Sequence, residues 1–334
     1  MPARVTLKDI AKKTGFAVIT VSKALRNHSD LSEKTCAYIQ QVAREMGYVR
    51  NASASSLRSG VTNTLALIIG DITNPLFSIV AKQLESRARK HGYAVVIMNT
   101  DEKEEREMRA IDASIAMNVD GILLFPCQKS EASMQKIQDY QIPCVLLGRK
   151  FDHPYCPAVV FDDCEGGYLA TKHLLEQGYK RILMINADAC IFSARERQKG
   201  YLAAHRDFGL PPCPELLAHC EGLSGECARI IDEKMPLGFD AIFAYNDVLA
   251  FEAINALSEK GLKVPEHIGV VGFDDIQSTV PYPFPLTSVS VPEKEIAKVS
   301  LDALLALIEK KDVPPAETML DVSLTIRGST KKIL

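Results

Sequence analysis

Apolar residues near the start of the chain recur at the spacing of short helices separated by turns. Thr6 and Asp9 form an N-terminal capping pattern in front of a first apolar face, and Gly15 breaks the run where a tight turn is needed. Ser32 is placed to open a third helix, which Gly47 ends. The apolar positions are Leu7, Ile10 and Ala11, then Val18, Val21 and Leu25, then Ile39, Val42 and Met46. This pattern predicts an all-α helix-turn-helix headpiece with a small core.

Beyond Gly60 the pattern changes to short apolar runs that alternate with amphipathic stretches. Such alternation predicts parallel sheets covered by helices on both faces. Because nine strands exceed one comfortable sheet, we predict an α/β core of two doubly wound parallel-sheet lobes. The predicted strands are Thr64–Ile69, Ala94–Met98, Gly121–Phe125, Cys144–Leu147, Val159–Phe161, Ile182–Ile185, Ala241–Ala244, Gly269–Gly272 and Ser288–Val291. The helical stretches include 76–91, 103–117, 164–177, 194–208, 247–260 and 293–310.

Charge divides the chain into a basic beginning and an acidic remainder. Residues 1–60 hold ten Lys/Arg and four Asp/Glu, a net charge of +6. The whole chain carries −3, so residues 61–334 carry −9. A basic head on an acidic body is typical of a module that binds nucleic-acid phosphates. The alternative from charge alone is a generic three-helix domain with a solvated basic face.

Composition narrows the class further. The 334 residues, 47% of them hydrophobic, are enough for more than one domain with a sizeable core. No apolar run approaches a membrane span, and the polar start is no signal peptide. Nine scattered cysteines without a CxxC pair indicate reduced thiols in a cytoplasmic protein. His219 and Cys220 are the pair to consider for a metal, but we expect neither a metal nor a cofactor.

Polar residues follow several of the predicted strands. In doubly wound sheets the ligand crevice lies beyond the carboxyl ends of the strands. Polar tips from two lobes therefore predict one interlobe cleft. These residues are Asp71, Asn99, Asp101, Arg149, Asp162, Asp163, Asn246, Asp247, Asp274 and Asp275.

The motifs resemble the lactose-repressor (LacI/GalR) family of bacterial transcription regulators. The resemblance is carried by Leu7-Lys-Asp-Ile-Ala, Gly15, Thr20-Val-Ser-Lys, Leu25, Ser32-Glu-Lys-Thr, Gly47-Tyr, Asn51 and Leu57-Arg-Ser-Gly60, and it continues to Arg327. It implies a headpiece over 1–50 that binds double-stranded operator DNA. Base edges would face Val18, Ile19 and Lys23, and the two apolar side chains can contact thymine methyls. The remaining expected DNA-binding residues are Thr6, Thr20, Ser22, Asn51, Ser55, Leu57 and Arg58.

The resemblance also implies a hinge helix over 51–60. Alone it is too short to be stable, so it is expected to fold when two copies meet on DNA. Leu57 would then act as a wedge in the minor groove. In the headpiece, Thr20 and Ser22 would contact phosphates. The alternative is that residues 50–62 are only a flexible, serine-rich linker.

For the core, the resemblance implies the fold of a type I periplasmic sugar-binding protein. The N-terminal lobe would comprise 61–161 and 292–322, and the C-terminal lobe 162–291 and 323–330. A sugar-like small-molecule effector would bind between them. The implied effector-binding residues are Asp71, Asn74, Phe77, Arg149, Ser193, Arg197, Asn246 and Asp274. Gly148 stands where many members carry an aspartate in front of the arginine.

Each of these residues also has a purely structural interpretation. Asp247 could be a helix N-cap, and Asp275 is better explained by capping or by support of a neighbour. Arg149 and Arg197 could pair with local acids, and Phe77 could belong to the ordinary core.

Together these observations predict a dimeric, effector-gated transcription regulator, most simply a repressor, that binds a palindromic operator. A coiled-coil tetramer is not expected, because no heptad tail follows the last predicted strand. Alternatives are a nucleobase effector, a protein co-repressor, an architectural DNA binder and an α/β enzyme. The enzyme lacks support because G-x-G-x-x-G, G-x-x-x-x-G-K-[ST] and H-E-x-x-H are missing, and Gly222-Leu-Ser224-Gly225 falls short of a nucleophile elbow.

Overall fold

A computed structural model describes residues 5–25, 30–48, 61–151, 156–220, 225–311 and 314–330. The chain divides into two compact units, Met1–Thr62 and Asn63–Leu334. The predicted hinge residues Asn51, Ser55, Leu57 and Arg58 lie outside the described residues.

The described part of the first unit contains three short helices around a small apolar core. They are α1 (Leu7–Thr14), α2 (Val18–Ala24) and α3 (Glu33–Glu45). The predicted capping box is confirmed, since the Thr6 hydroxyl accepts from the Asp9 backbone N–H and the Asp9 carboxylate accepts from the Thr6 backbone N–H. Gly15, at φ 77°, forms the turn after α1. The buried apolar side chains are Ile10, Val21, Ala24, Ile39, Val42 and Ala43.

The second unit alternates strands and helices, as predicted. Its helices are α4 (Pro75–Lys90), α5 (Glu104–Ala116), α6 (Ala132–Asp139), α7 (Asp163–Glu176), α8 (Phe192–Asp207), α9 (Cys227–Lys234), α10 (Asp247–Glu259) and α11 (Glu293–Ile308). Its strands are β1 (Thr64–Ile69), β2 (Ala94–Asn99), β3 (Gly121–Leu124), β4 (Cys144–Leu147), β5 (Ala158–Phe161), β6 (Ile182–Ala187), β7 (Leu217–Cys220), β8 (Ala241–Ala244), β9 (Gly269–Asp274), β10 (Thr287–Ser290), β11 (Glu317–Leu320) and β12 (Ser323–Thr325). Short 3₁₀ turns occupy Pro214–Leu216, Met235–Leu237 and Ile276–Ser278.

Among the described residues these strands form two six-stranded sheets, which confirms the predicted pair of doubly wound lobes. The first sheet has the order β11-β5-β4-β3-β1-β2, and the second has the order β12-β10-β9-β8-β6-β7. Neighbouring strands pair in parallel except β10 and β12, which are antiparallel. The nine strands identified from apolar runs do not include β7, β11 and β12, because each of these is short and contains polar residues such as His219, Glu317 and Ser323.

The described chain passes from one sheet to the other at three places. It leaves the first sheet after β5, returns after β10 and crosses again between β11 and β12. Helix α7 packs on α8 and the second sheet, whereas α11 packs on α4 and the first sheet. The crossings start on β5, β10 and β11, each of which is one of the two outermost strands at one side of its sheet.

Candidate functional site

Polar and aromatic side chains from both sheets line one cleft at the carboxyl ends of the strands. Its lining residues are Asn74, Leu76, Phe77, Glu102, Phe125, Gly148, Arg149, Phe161, Ser193, Arg197, Tyr245, Asn246 and Asp274. Seven of the eight predicted effector-binding residues belong to this set. The exception is Asp71, whose carboxylate accepts from the backbone N–H and hydroxyl of Thr73 and so closes the turn before α4.

Two asparagines of the cleft begin helices. The Asn74 side chain accepts from the Leu76 N–H at 3.0 Å, and the Asn246 side chain accepts from the Leu249 N–H at 2.9 Å. Each side-chain oxygen is therefore held by a helix N-terminus, while the amide nitrogen is not used by the cap. The alternative that Asp247 caps α10 is wrong. Its carboxylate instead accepts from the Ile276 N–H at 2.9 Å and the Ser288 hydroxyl at 2.5 Å.

Arg149 is held by a carboxylate that the sequence did not reveal. Its Nη1 donates to Glu102 Oε2 at 2.7 Å, and its Nη2 donates to Glu102 Oε1 at 2.9 Å. Nη1 also donates to the Pro126 carbonyl at 2.8 Å. Burial disfavours the charge of Arg149, but the Glu102 carboxylate outweighs it and raises the guanidinium pKa. A bidentate pair of this kind fixes both side chains.

Arg197 lies in α8 and pairs with Asp163, the first residue of α7. Its Nε donates to Asp163 Oδ1 at 2.8 Å, and Nη1 donates to the Tyr245 carbonyl. The guanidinium carbon lies 3.5 Å from the ring centroid of Phe273 and 4.4 Å from that of Tyr245. The alternative that both arginines pair with local acids is thus correct, and both still line the cleft.

Two glycines set the distance between α7 and α8. A Cβ on Gly167 would lie 2.2 Å from the Arg197 carbonyl oxygen, and a Cβ on Gly200 would lie 2.0 Å from the Cys164 carbonyl oxygen. The helices therefore touch backbone to backbone. This contact holds the Arg197 backbone against the helix that begins with Asp163.

Asp274 is a buried carboxyl group with an unusual proton affinity. Burial raises the pKa of Asp274 to about 7, although the Arg197 guanidinium opposes the shift. Burial also raises the pKa of Asp163, again opposed by Arg197. Near neutral pH, Asp274 is present both as a carboxylate and as a neutral acid, so it can accept or donate a hydrogen bond.

Aromatic rings form the apolar part of the cleft. Phe77 and Phe125 meet edge to face, with ring centroids 5.0 Å apart at an angle of 89°. Phe77 is only 6% exposed and belongs to the main apolar core, so its core interpretation is also correct. The Tyr245 hydroxyl lies 2.8 Å from the Ser193 hydroxyl. Neither Tyr245 nor Phe125 was predicted to line the cleft, because each directly follows an apolar strand and matches its hydrophobic pattern.

The predicted base-contacting residues belong to α2, with Val18 and Ile19 at its start and Lys23 in its last turn. Val18 is 39% exposed and Ile19 is 72% exposed, whereas Val21 on the opposite face is fully buried. Lys23 forms an ion pair with Asp30, Thr20 and Ser22 are half-buried, and the exposed Thr6 serves the capping box. Val18 and Ile19 are thus two apolar side chains that are exposed to solvent on α2.

The cysteines and His219 are the side chains with which a metal site would be built. The nine cysteines are free thiols, and the His219 ring lies against the Ala187 carbonyl. Within the described ranges, no group of three or more His, Cys, Asp or Glu side chains could hold a metal. The described helices include none that is both long and apolar enough to cross a membrane.

The helix-turn-helix headpiece indicates a DNA-binding protein. The two-sheet core with its polar cleft is like that of a periplasmic binding protein. Residues 62–327 match the family of periplasmic binding proteins and the sugar-binding domain of the LacI family, and residues 6–51 match the bacterial regulatory proteins of the lacI family. The chain belongs to the LacI family.

Relatives of the chain are transcription regulators. It is 35% identical over 303 residues to the transcriptional regulator DegA of Bacillus subtilis (strain 168), and this match covers 88% of each chain. It is 30% identical over 334 residues to the repressor CytR of Escherichia coli (strain K12), covering 98% of this chain and 97% of that one. The structure resembles that of the lac repressor dimer bound to operator and the anti-inducer ONPF, with a TM-score of 0.83, 25% identity and coverage of 98% and 100%. The chain is therefore a DNA-binding transcriptional repressor of the LacI family.

Proposed function

We propose that a small hydroxylated molecule, of the sugar class, binds in the cleft and controls operator binding by a homodimer of this chain. The observation that carries the proposal is the combination of Asn74, Ser193, Asn246 and Asp274 with aromatic rings in one cleft between two sheets. Amide, hydroxyl and carboxyl groups donate and accept hydrogen bonds with hydroxyls, and aromatic faces cover the apolar face of a sugar ring. The match of the core to a sugar-binding domain supports the same class.

A nucleobase is the second candidate. Four aromatic side chains line the cleft, namely Phe77, Phe125, Phe161 and Tyr245. A planar base would stack on such rings and satisfy its edges with the two asparagine side chains. The two candidates differ in whether binding requires a planar base or only the hydroxyl groups of a sugar.

Thermal unfolding of the full-length protein with a ligand panel tests the proposal. The panel contains pentoses, hexoses, disaccharides, nucleobases and nucleosides. A ligand at about a hundred times its Kd should stabilise the core by about 2.7 kcal/mol, a rise in Tm of several degrees. Asn246→Ala should remove the response, and Asp71→Ala should keep it, because Asp71 lies outside the cleft lining. Stabilisation by a nucleobase and by no sugar would select the second candidate. Stabilisation that survives Asn246→Ala unchanged would contradict the assigned cleft.

On the DNA side, we propose that Val18 and Ile19 contact thymine methyl groups in the major groove. Both side chains are exposed, and an apolar side chain can pack against a methyl group but cannot hydrogen-bond a base edge. Their exposure therefore supports contact with thymine methyl groups. Replacing one contacted thymine by uracil removes only the methyl group. This change should weaken operator binding about fourfold, from about 0.8 kcal/mol for each buried methyl.

The measurement is a titration of uracil-substituted operators with the wild type and with Ile19→Ala. The variant should bind both operators more weakly and should lose the difference between them. Uracil in the flanking sequence is the control and should have no effect. An unchanged thymine preference in Ile19→Ala would remove Ile19 from the contact.

Coupling between the cleft and DNA would run through residues 51–60. In this proposal, ligand binding changes the angle between the lobes, and the new angle decides whether two hinge segments can place Leu57 in the minor groove. Moving operator occupancy from nearly full to nearly empty requires about 5.5 kcal/mol of differential ligand binding.

A further inference from the structure

Both arginines of the cleft face buried carboxylates. The Arg149 and Glu102 side chains are 6% and 14% exposed, and those of Arg197 and Asp163 are 6% and 0% exposed. A guanidinium that faces open solvent attracts anions, whereas that of Arg149 already holds the Glu102 carboxylate through two hydrogen bonds. Arg197 donates one hydrogen bond to Asp163 and one to the Tyr245 carbonyl. The charge of each arginine is therefore already balanced by a carboxylate, and Arg149 is the more fully occupied of the two.

The charges of the cleft also disfavour an anion. Asp274 adds a third carboxyl group to the two that are paired with arginines. Depending on its protonation, the five groups carry a net charge of zero or −1. The nearby Lys150 and Lys129 are paired with Glu317 and Asp188. Among the described residues that line the cleft, each cation has a carboxylate partner, so an anionic ligand would lose its water without gaining an unpaired cation there.

The position of Glu102 is built into the backbone around it. A Cβ on Gly70 would lie 2.1 Å from Glu102 Oε1, so glycine at position 70 leaves room for the carboxylate in its observed position. The Glu102 N–H donates to the Gly70 carbonyl at 3.1 Å, and Glu102 itself adopts φ 53°. Its carboxylate reaches Arg149 from the loop after β2. Glu102 thus occupies the place where an anion would meet Arg149.

We propose that the cleft selects an uncharged, hydroxyl-bearing effector, and that Glu102 is the specificity-determining residue that excludes sugar acids and sugar phosphates. This inference rests on the proposed sugar-class function and narrows it. Removing the Glu102 charge should admit an anion to Arg149.

Matched ligand pairs test the selectivity of the full-length protein by isothermal titration. The pairs are galactose with galacturonate, glucose with glucose 6-phosphate, and ribose with ribose 5-phosphate. Whichever sugar binds, the wild type should bind its neutral member at least tenfold more tightly than the anion. Glu102→Gln should reduce or reverse this ratio. The control Glu105→Gln makes the same charge change on an exposed side chain paired with Arg109 and should keep it. A wild type that prefers the anion would overturn the inference.

A second measurement does not depend on the identity of the effector. Glu102→Ala leaves a carboxylate-sized opening beside Arg149. Acetate should raise the Tm of this variant in a saturable way, and acetamide, its neutral isostere, should not. Wild type and Glu105→Ala should respond to neither. If Glu102→Ala folds poorly, the yield of refolding in acetate against acetamide gives the same comparison.

The outcomes separate the two proposals. Equal effects of acetate and acetamide on Glu102→Ala, or no effect of either, would overturn the role of Glu102. If acetate stabilises Glu102→Ala but no sugar in the panel binds, the sugar-class function is contradicted and the charge selectivity is supported.

Discussion

Arg197→Ala is expected to remove ligand binding and to destabilise the core by about 3–5 kcal/mol, the usual result of breaking a buried ion pair from one side. The variant leaves Asp163 buried without its cation, and Asp163 Oδ2 already lacks a hydrogen-bond partner among the described residues. It also removes a guanidinium packed on Phe273 and Tyr245. For a core of this size the loss corresponds to a fall in Tm of about 10 °C. The measurements are thermal unfolding and ligand titration.

A variant with both partners replaced separates the effect of an unpaired charge from that of lost packing. Replacing both partners, as Arg197→Met with Asp163→Asn, should be less destabilising than Arg197→Ala alone, because no unpaired charge remains. Lys199→Ala is the control on the same helix, since its ion pair with Glu196 is exposed and should contribute less than about 1 kcal/mol. Below its Tm, Arg197→Ala should retain operator affinity but lose the response to ligand. A loss of stability no larger than that of the control would contradict the account of the buried pair.

Gly200→Ala is expected to destabilise the core by more than about 3 kcal/mol, beyond the usual range for overpacking. The new Cβ would lie 2.0 Å from the Cys164 carbonyl oxygen and 2.5 Å from the Tyr168 nitrogen. Both are backbone atoms, so no rotamer change can relieve the contact, and α7 and α8 must separate. In an isolated helix, alanine would instead be favoured over glycine by about 1 kcal/mol. Chemical denaturation measures the difference.

The control for this prediction is Gly121→Ala. Its Cβ would meet the side-chain ends of Leu304 and Ile308 at 2.9 and 3.1 Å, and those can rotate away. Gly121→Ala should therefore destabilise the core much less than Gly200→Ala does. Similar values for the two variants would mean that the helix contact is not as rigid as its geometry implies. Because the contact positions Arg197, Gly200→Ala should also weaken ligand binding at temperatures where it remains folded.

The fold was predictable where burial left a simple pattern in the sequence. Central strands such as β4 and β8 are buried on both faces, so each is a continuous apolar run. The missed strands β7, β11 and β12 are all at sheet edges. An edge strand has one neighbour and more contact with water, so residues such as His219, Glu317 and Ser323 are tolerated there. Their pairing depends on the sheet beside them, which a local pattern does not contain.

The cleft was predictable because parallel strands end together. Arg149, Asn246 and Asp274 were identified as polar residues at strand ends, and they line one cleft. Glu102 was not identified, because it follows β2 by three residues in a turn of positive φ that directs its side chain back to Gly70. Its partner Arg149 is 47 positions away. Neither the turn nor the pairing leaves a periodic pattern that sequence analysis could detect.

The short link between β11 and β12 restricts how the lobes can move. Only Asp321 and Val322 separate the edge strand of one sheet from the edge strand of the other. Three Cα–Cα steps span about 11 Å at most, so these edges cannot draw apart. The other two crossings leave β5 and β10, the neighbouring strands at the same side. The lobes are thus restricted to rotation about an axis near this side, and the largest ligand that can enter is set by an angle rather than by a separation. Lengthening this link would change the direction of the motion while leaving every cleft residue in place.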